Sequence, residues 1–385
     1  MLKTDMIITE DALNRLDQHW AILALGNKQV ARALDVAAVR IMRSAVGRQM
    51  TIDFDETVTD KETVERAAMA YELAAIEGLD ALLHPSDDVS RVQLRAQAQA
   101  GAFRAYSLRR TLRIPEMPED RIFHVLHLAA LAYCGDQWAD LRRWLKDHER
   151  EVRPPSVADV NWDHRVLRRL YECWLRLLRK QGWDDLDGIR EIIAGLRKDQ
   201  EQYENTVLDK SDNTAAQAEA LRLIALYHWA KATELLAIYI LQGQPVGIEA
   251  ELDKHFEAGQ QAASAAQDAA FEVILRWLHV TSRRMVAGSL WKVAQAVNSR
   301  VTRFVKSITK TRSMFELLPP QRAALQEQGL LDQASRAVVV DLPTSGGKTT
   351  LAQFRILQAL NQFDADKGWV NRLLRRVNGA LRDRL

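Results

Sequence analysis

The stretch that best decides the fold class is Asp163–Lys180, DHRVLRRLYECWLRLLRK. Its apolar residues recur at steps of three and four, and its arginines fall mostly between them. This spacing predicts one amphipathic helix whose apolar face turns towards a protein core. Leucine and arginine are strong helix formers, and the stretch contains no glycine or proline. The predicted apolar face carries Leu167, Leu170, Tyr171, Trp174, Leu177 and Leu178.

The helical pattern extends on both sides of this stretch, from about Ile8 to Lys310. Further helices are predicted from about Asn213 to Leu241 and from about Ala262 to Val286. Predicted breaks fall where proline interrupts the pattern, near residues 84–87, 153–156 and 242–245. We therefore predict a mainly α-helical protein, with a large N-terminal helical bundle or solenoid.

Several residue types in the helical region could carry chemistry, but packing explains each of them better. Most of the ten tryptophans lie among leucines, which favours core packing over a stacking surface for bases. Cys134 and Cys173 lie in separate apolar segments, which indicates two buried thiols rather than a disulfide. His124 and His127 are three apart on an apolar helix, where packing is a better interpretation than metal binding.

The composition excludes some classes of protein. With 385 residues, 47% of them hydrophobic and 27% charged, the chain has the composition of an ordinary globular protein. The net charge of +2 means that any nucleic-acid surface must be a local patch. No segment approaches the roughly 18 uncharged apolar residues of a membrane span. We expect a cytoplasmic protein that does not bind a membrane.

The pattern changes after Thr311, where strand, turn and helix follow one another. Arg336–Leu342, RAVVVDL, predicts a buried β-strand because it contains three consecutive valines. The glycine-rich Pro343–Thr349, PTSGGKT, comes next, and Thr350–Phe363 has helical periodicity. This order of strand, glycine-rich turn, Lys-Thr and helix is typical of a phosphate-binding loop.

Each residue type in this loop has a chemical reason to be there. Gly346 and Gly347 allow a sharp turn that presents backbone N–H groups to phosphate oxygens. Lys348 can reach the β- and γ-phosphates, and the Thr349 hydroxyl can bind Mg²⁺. The predicted nucleotide-binding residues of the loop are Thr344, Ser345, Gly346, Gly347, Lys348, Thr349 and Thr350.

The loop resembles motif I of superfamily 2 (DEAD/DEAH-like) helicases, Pro-Thr-x-x-Gly-Lys-Thr. Its middle pair, Ser345-Gly346, reverses the more usual glycine-serine order. The segment Pro319–Arg322, PPQR, resembles the upstream glutamine element of these helicases. That resemblance implies that Gln321 reads the adenine edge, since a carboxamide both donates and accepts hydrogen bonds. The resemblance covers about Ser313 to Val370.

The resemblance implies a RecA-like α/β domain, ATP and Mg²⁺ as cofactors, and Lys348 and Thr349 as catalytic residues. It also implies a nucleic-acid-dependent ATPase, a helicase or translocase acting on DNA or RNA. A setting in bacterial phage defence or genome maintenance is a weaker analogy. The acidic Mg²⁺ motif and second RecA-like domain of a complete motor are missing. A fragment of a longer helicase, residues absent after Val370 or a degenerate relative would each explain this. We expect the fragment, which binds nucleotide weakly and does not hydrolyse it efficiently.

A basic segment precedes the motif region. No acidic residue occurs between Ser289 and Phe315, and a phosphate-tracking surface is predicted there. A solvated helix face explains this basic segment equally well. The residues predicted to contact nucleic acid are Arg300, Arg303, Lys306 and Lys310.

The predicted domain organisation has three parts. Residues 1–152 form an N-terminal helical region, and residues 153–312 form a second one that could belong to the same domain. Residues 313–385 form the partial ATP-binding domain. The N-terminal helical region is expected to bind a protein partner. The alternatives to a motor are a helical scaffold with a nucleotide switch and an interaction protein with an inactive motor remnant.

Overall fold

The computed structural model describes residues 10–46, 58–154, 162–206, 213–244, 247–297, 299–331, 339–341 and 347–362. These residues are mainly α-helical, which confirms the predicted class at that level. The first helices are α1 (Glu10–Asp17), α2 (Trp20–Leu25), α3 (Asn27–Val46), α4 (Val58–Glu77), α5 (Leu79–Leu83), α6 (Val89–Arg109), α7 (Pro118–Cys134) and α8 (Trp138–Asp147). The next are α9 (Trp162–Arg179), α10 (Asp184–Thr206), α11 (Asn213–Gln242), α12 (Ile248–Ala265) and α13 (Ala269–Gly288). The last are α14 (Leu290–Val297), α15 (Ser299–Arg312), α16 (Pro319–Arg322) and α17 (Lys348–Gln362).

The chain divides into two compact units between Ala287 and Gly288. The larger unit, Asp5–Ala287, contains α1 to α12 and nearly all of α13. The smaller unit contains Gly288–Leu385, and its described helices are α14 to α17. This division lies within the stretch that the sequence analysis assigned to the second helical region. The predicted boundaries after residues 152 and 312 remain predictions.

In the larger unit, α9 packs against α7, α8, α10 and α11. Leu170, Tyr171 and Trp174 of its apolar face are fully buried, as the periodicity predicts. The indole Nε1 of Trp174 donates a hydrogen bond to Oγ1 of Thr233 on α11 at 3.0 Å. A buried indole N–H needs an acceptor, and this contact supplies one across the interface between α9 and α11.

The helix predicted from about Ala262 to Val286 is two helices, and this prediction was wrong. The helix α12 ends at Ala265, and α13 begins at Ala269. Gln267 between them has a positive φ of 58°, which a continuous α-helix does not allow. The carboxylate of Asp268 accepts a hydrogen bond from the Phe271 N–H at 3.1 Å and caps the new helix. A local capping interaction therefore overrides apolar spacing that runs through the break.

Core packing is confirmed for both cysteines and for six of the tryptophans, whereas Trp20 is 61% exposed. Burial raises the pKa of each thiol, Cys134 and Cys173, to about 12, because a thiolate would lose its hydration. Both thiols are therefore inert packing groups at neutral pH. The buried tryptophans are Trp138, Trp144, Trp174, Trp229, Trp277 and Trp291.

The strand predicted at Arg336–Leu342 lies mostly outside the described residues. Only residues 339–341 are described, and these three do not form a strand. Val339 is 71% exposed, contrary to the expected buried position. A buried parallel strand needs neighbouring strands to satisfy its backbone and cover both faces, and the described residues form no sheet that could do so. The mainly helical class is therefore established, while the α/β part of the prediction remains a prediction.

Candidate nucleotide-binding site

The helix α17 begins at Lys348, directly after Gly347. Gly347 has a φ of +74°, a conformation that glycine adopts without the steric cost of a Cβ atom. Its carbonyl oxygen accepts a hydrogen bond from the Thr350 N–H at 3.0 Å, which closes the first turn. The side chains of Lys348 and Thr349 reach the surface at this helix start, and Thr350 is half-buried. The first turn therefore places an ammonium group and a hydroxyl group within reach of solvent.

The rest of the predicted loop, Thr344, Ser345 and Gly346, lies outside the described residues. The geometry of the site therefore rests on Gly347 and the start of α17. The predicted contacts of those three residues with phosphate remain predictions.

The structure places Gln321 next to this turn, although the two residues are 26 positions apart. Nε2 of Gln321 donates a hydrogen bond to the Gly347 carbonyl oxygen at 3.3 Å. Oε1 of Gln321 accepts one from the Leu318 N–H at 3.0 Å. The Gln321 residue is only 1% exposed. In this conformation its carboxamide supports the turn, and its predicted contact with adenine remains a prediction.

The approach of Gln321 explains why position 347 is a glycine. A Cβ atom built on Gly347 would lie 2.0 Å from Nε2 of Gln321. Any other residue would have to displace a buried carboxamide and also adopt the left-handed backbone conformation. Sequence reasoning assigned Gly347 to phosphate contact, but it missed this second role because the contact joins distant parts of the chain.

Short-range geometry positions Gln321 at the start of α16. Pro319 and Pro320 occupy the first helical positions, where the missing N–H of proline costs no hydrogen bond. The preceding segment is held by the Leu317 N–H, which donates to the Gly288 carbonyl oxygen at 2.8 Å. A second bond joins the Leu290 N–H to the Phe315 carbonyl oxygen at 3.0 Å. These bonds fix the entry to α16 within the smaller unit.

The helix α17 is anchored by its apolar face on α15. Leu351 and Phe354 are buried, and the Phe354 ring meets the Phe304 ring edge-on at 5.5 Å between centroids. Such an edge-to-face pair stabilises the packing beyond the free energy gained by burying the two rings. Because α17 begins at Lys348, its packing on α15 fixes the position of the candidate site.

The opposite face of α15 is basic. Arg303, Lys306 and Lys310 are exposed, whereas Val301 and Val305 are buried. Steps of three and four place the three cations on one face of the helix. We call Arg303, Lys306 and Lys310 the basic stripe. The side chain of Arg300, also predicted to contact nucleic acid, lies outside the described residues.

Metal-binding clusters and membrane-spanning helices do not occur in the described residues. Across the described ranges, no group of three or more histidine, cysteine, aspartate or glutamate side chains is arranged to hold a metal ion. None of the described helices is both long and apolar enough to cross a membrane. The Mg²⁺ contact predicted for Thr349 remains a prediction.

Comparison with known proteins adds no relative to this description. No protein-family model matches the chain, and no curated protein matches its sequence.

Proposed function

We propose that the smaller unit binds ATP, with the phosphates at the start of α17. The observation that carries this proposal is the joint geometry of Gln321, Gly347 and Lys348. A left-handed glycine and a buried glutamine make a tight turn immediately before a helix whose first side chains reach solvent. The N-terminus of a helix favours a bound anion, because the free N–H groups of the first turn point towards the anion and the positive end of the helix dipole lies there.

Each residue has a defined part in this proposal. The Lys348 ammonium group pairs with the β- and γ-phosphates, and the Thr349 hydroxyl would hold Mg²⁺. Before ATP binds, Gln321 supports the turn at Gly347, and its carboxamide then rearranges to contact adenine. Bound Mg²⁺ would neutralise phosphate charge. This chain is proposed to bind ATP without efficient turnover, as part of a superfamily 2 helicase or translocase motor.

Lys348→Ala is expected to weaken ATP binding about 10- to 100-fold, since a hydrogen bond to a charged group contributes roughly 1.5–3 kcal/mol. The affinity of the chain for ATP with Mg²⁺ would be measured by titration calorimetry. Lys310→Ala, which removes another lysine of the same unit, is the control and should bind ATP as the wild type does. Equal affinities of the wild type and Lys348→Ala would overturn the proposal.

The basic stripe supports a nucleic-acid-dependent motor that uses DNA or RNA. Its cations lie on the helix that packs against α17, so a bound strand would lie on the helix that anchors the nucleotide site. Three contacts with nucleic-acid phosphates would release counterions that are condensed on the strand. The affinity for nucleic acid should therefore fall steeply as the salt concentration rises.

Replacing Arg303, Lys306 and Lys310 together with glutamine is expected to reduce the salt dependence of nucleic-acid binding. The slope of log affinity against log salt should become shallower by about 2 to 3, at about 0.7 to 0.9 for each phosphate that is no longer neutralised. Fluorescence anisotropy with single- and double-stranded DNA and RNA measures this slope. Lys348→Ala is the control and should keep the wild-type slope. An unchanged slope in the triple variant would remove the basic stripe from the proposal.

The second candidate function is a helical scaffold with a nucleotide switch. The observation that favours it is an exposed apolar stripe on α4, formed by Met69, Leu73 and Ile76 at helical spacing. Such a stripe would suit the protein partner expected for the N-terminal helical region. Residual ATP turnover, measured with and without added nucleic acid, separates the two functions. Stimulation by nucleic acid favours the motor, and turnover indifferent to it favours the switch.

A further inference from the structure

Two histidines of the larger unit meet where α11 packs against α12. His228 lies on α11 and His255 on α12, and their Nδ1 atoms are 2.9 Å apart. Gly259, one turn after His255, lets the helices approach closely, since a Cβ atom there would lie 3.4 Å from the Cβ atom of His228. Helix packing therefore fixes the distance between the two histidine backbones.

Both imidazole rings lie at the border of the solvent rather than in the core. His228 and His255 are half-buried, and the neighbouring Tyr227 is 50% exposed. A hydrated ion can therefore reach the two rings after a rotation of side chains alone, without any opening of the helix interface.

The two Nδ1 atoms can share only one proton. A neutral imidazole has one donor and one acceptor nitrogen, so in this hydrogen bond one ring carries its proton on Nδ1 and the other on Nε2. Burial lowers the pKa of both rings, which favours the neutral form near pH 7. A metal ion that replaces the shared proton would let both Nδ1 atoms act as ligands, with each ring protonated on Nε2.

The spacing of the rings fits two ligands of one tetrahedral ion. An imidazole nitrogen binds Zn²⁺ at about 2.0–2.1 Å, which places the ring centroid about 3.2 Å from the ion. Two such rings at the tetrahedral angle have centroids about 5.2 Å apart. The centroids of His228 and His255 are 5.2 Å apart. Each ring needs only to tilt, so that its lone pair points at the ion instead of at the other ring.

The charges near the two rings are mixed, so the ligand atoms decide which ion fits. Glu251, one turn before His255, favours a cation, whereas Lys254 opposes one at both rings. Lys231 also opposes a cation, but its ammonium group lies 2.9 Å from Oε2 of Glu234. Imidazole nitrogens suit zinc, nickel and copper, whereas Mg²⁺ and Ca²⁺ prefer oxygen ligands.

We propose that His228 and His255 bind a divalent transition-metal ion such as Zn²⁺ through their Nδ1 atoms and so link α11 to α12. The described residues form no cluster of three metal-binding side chains, so water completes the coordination. A site with two protein ligands is open and weaker than a structural site with four. This site lies in the larger unit and does not depend on the proposed nucleotide site.

Zinc chloride is the probe, added to the full chain without a polyhistidine tag. Titration calorimetry is expected to give a dissociation constant below about 0.1 mM. His228→Ala and His255→Ala should each weaken zinc binding at least about tenfold, because each removes one of the two ligands. His84→Ala is the matched control, since His84 is a 49% exposed histidine beside Asp80 and lies on another helix. It should bind zinc as the wild type does.

The positions of the ring protons give a second readout on the wild type. Without metal, ¹⁵N NMR of the histidine rings should find one ring of the pair protonated on Nδ1. At zinc saturation both rings should be protonated on Nε2, which a purely structural role of the pair would not produce.

Three results would overturn the proposal. One is a wild-type chain that does not bind zinc at about 1 mM. Another is equal zinc affinity in the wild type and in both alanine variants, with thermal unfolding showing that these variants are folded. The third is an Nδ1 proton that persists on the pair at zinc saturation, which would leave a hydrogen-bonded histidine pair only.

Discussion

Gly347→Val is expected to weaken ATP binding about 100-fold. The φ of +74° at Gly347 costs a residue with a Cβ atom about 1–2 kcal/mol. The new side chain also displaces the Gln321 carboxamide, whose Nε2 lies 2.0 Å from the Cβ position. Breaking the buried bonds of Gln321 adds about 1–3 kcal/mol. A total of about 3 kcal/mol corresponds to roughly two powers of ten in affinity.

Titration calorimetry with ATP and Mg²⁺ measures this loss. Gly329→Val is the matched control, because Gly329 has a similar φ of +66° but belongs to a different turn. It should suffer the backbone strain and keep the ATP affinity. ATP binding by Gly347→Val at wild-type strength would show that the turn is not the phosphate site.

Acidification from neutral pH to about pH 4 is expected to destabilise the larger unit strongly through His124. Burial lowers the pKa of His124 from 6.5 to about 4, and the nearby Arg109 charge acts in the same direction. The unfolded chain therefore binds a proton below pH 6.5 that the folded chain does not yet accept. Stability falls as the pH drops from 6.5 to about 4, and this loss stops growing below that. The shift corresponds to about 3 kcal/mol.

Four other histidines also make the larger unit less stable as the pH falls. Burial also lowers the pKa of His127, His228, His255 and His279. For His279, the Asp253 carboxylate at 2.7 Å opposes that effect by favouring the charged imidazole. The acid sensitivity of the wild type therefore exceeds the part contributed by His124 alone.

Urea unfolding at a series of pH values separates the contribution of His124. The variant His124→Leu should lose about 3 kcal/mol less than the wild type between neutral pH and about pH 4. His84→Leu, which removes a histidine whose side chain is 49% exposed, is the control and should follow the wild type. Parallel stability curves for the wild type and His124→Leu would show that His124 is not buried as neutral imidazole.

Local patterns in the sequence predicted two of the three bounded helices of the helical region well. The helices at Asp163–Lys180 and Asn213–Leu241 correspond to α9 and α11 within a residue at each end. The apolar spacing in each reflects burial against neighbours along its whole length. The same spacing failed at 266–268, because the helix break there depends on one carboxylate and one left-handed residue. A periodic pattern averages over a turn and does not register a single capping interaction.

By itself, the sequence determined that the described chain is mainly helical and that a lysine and a threonine follow a glycine at the start of a helix. These features depend on residues close together in the chain. Only the tertiary structure decided that Gln321 closes on Gly347 and that His228 meets His255 between two helices. Such contacts join distant segments, and their geometry is set by the packing of whole helices, which no local spacing of residue types specifies.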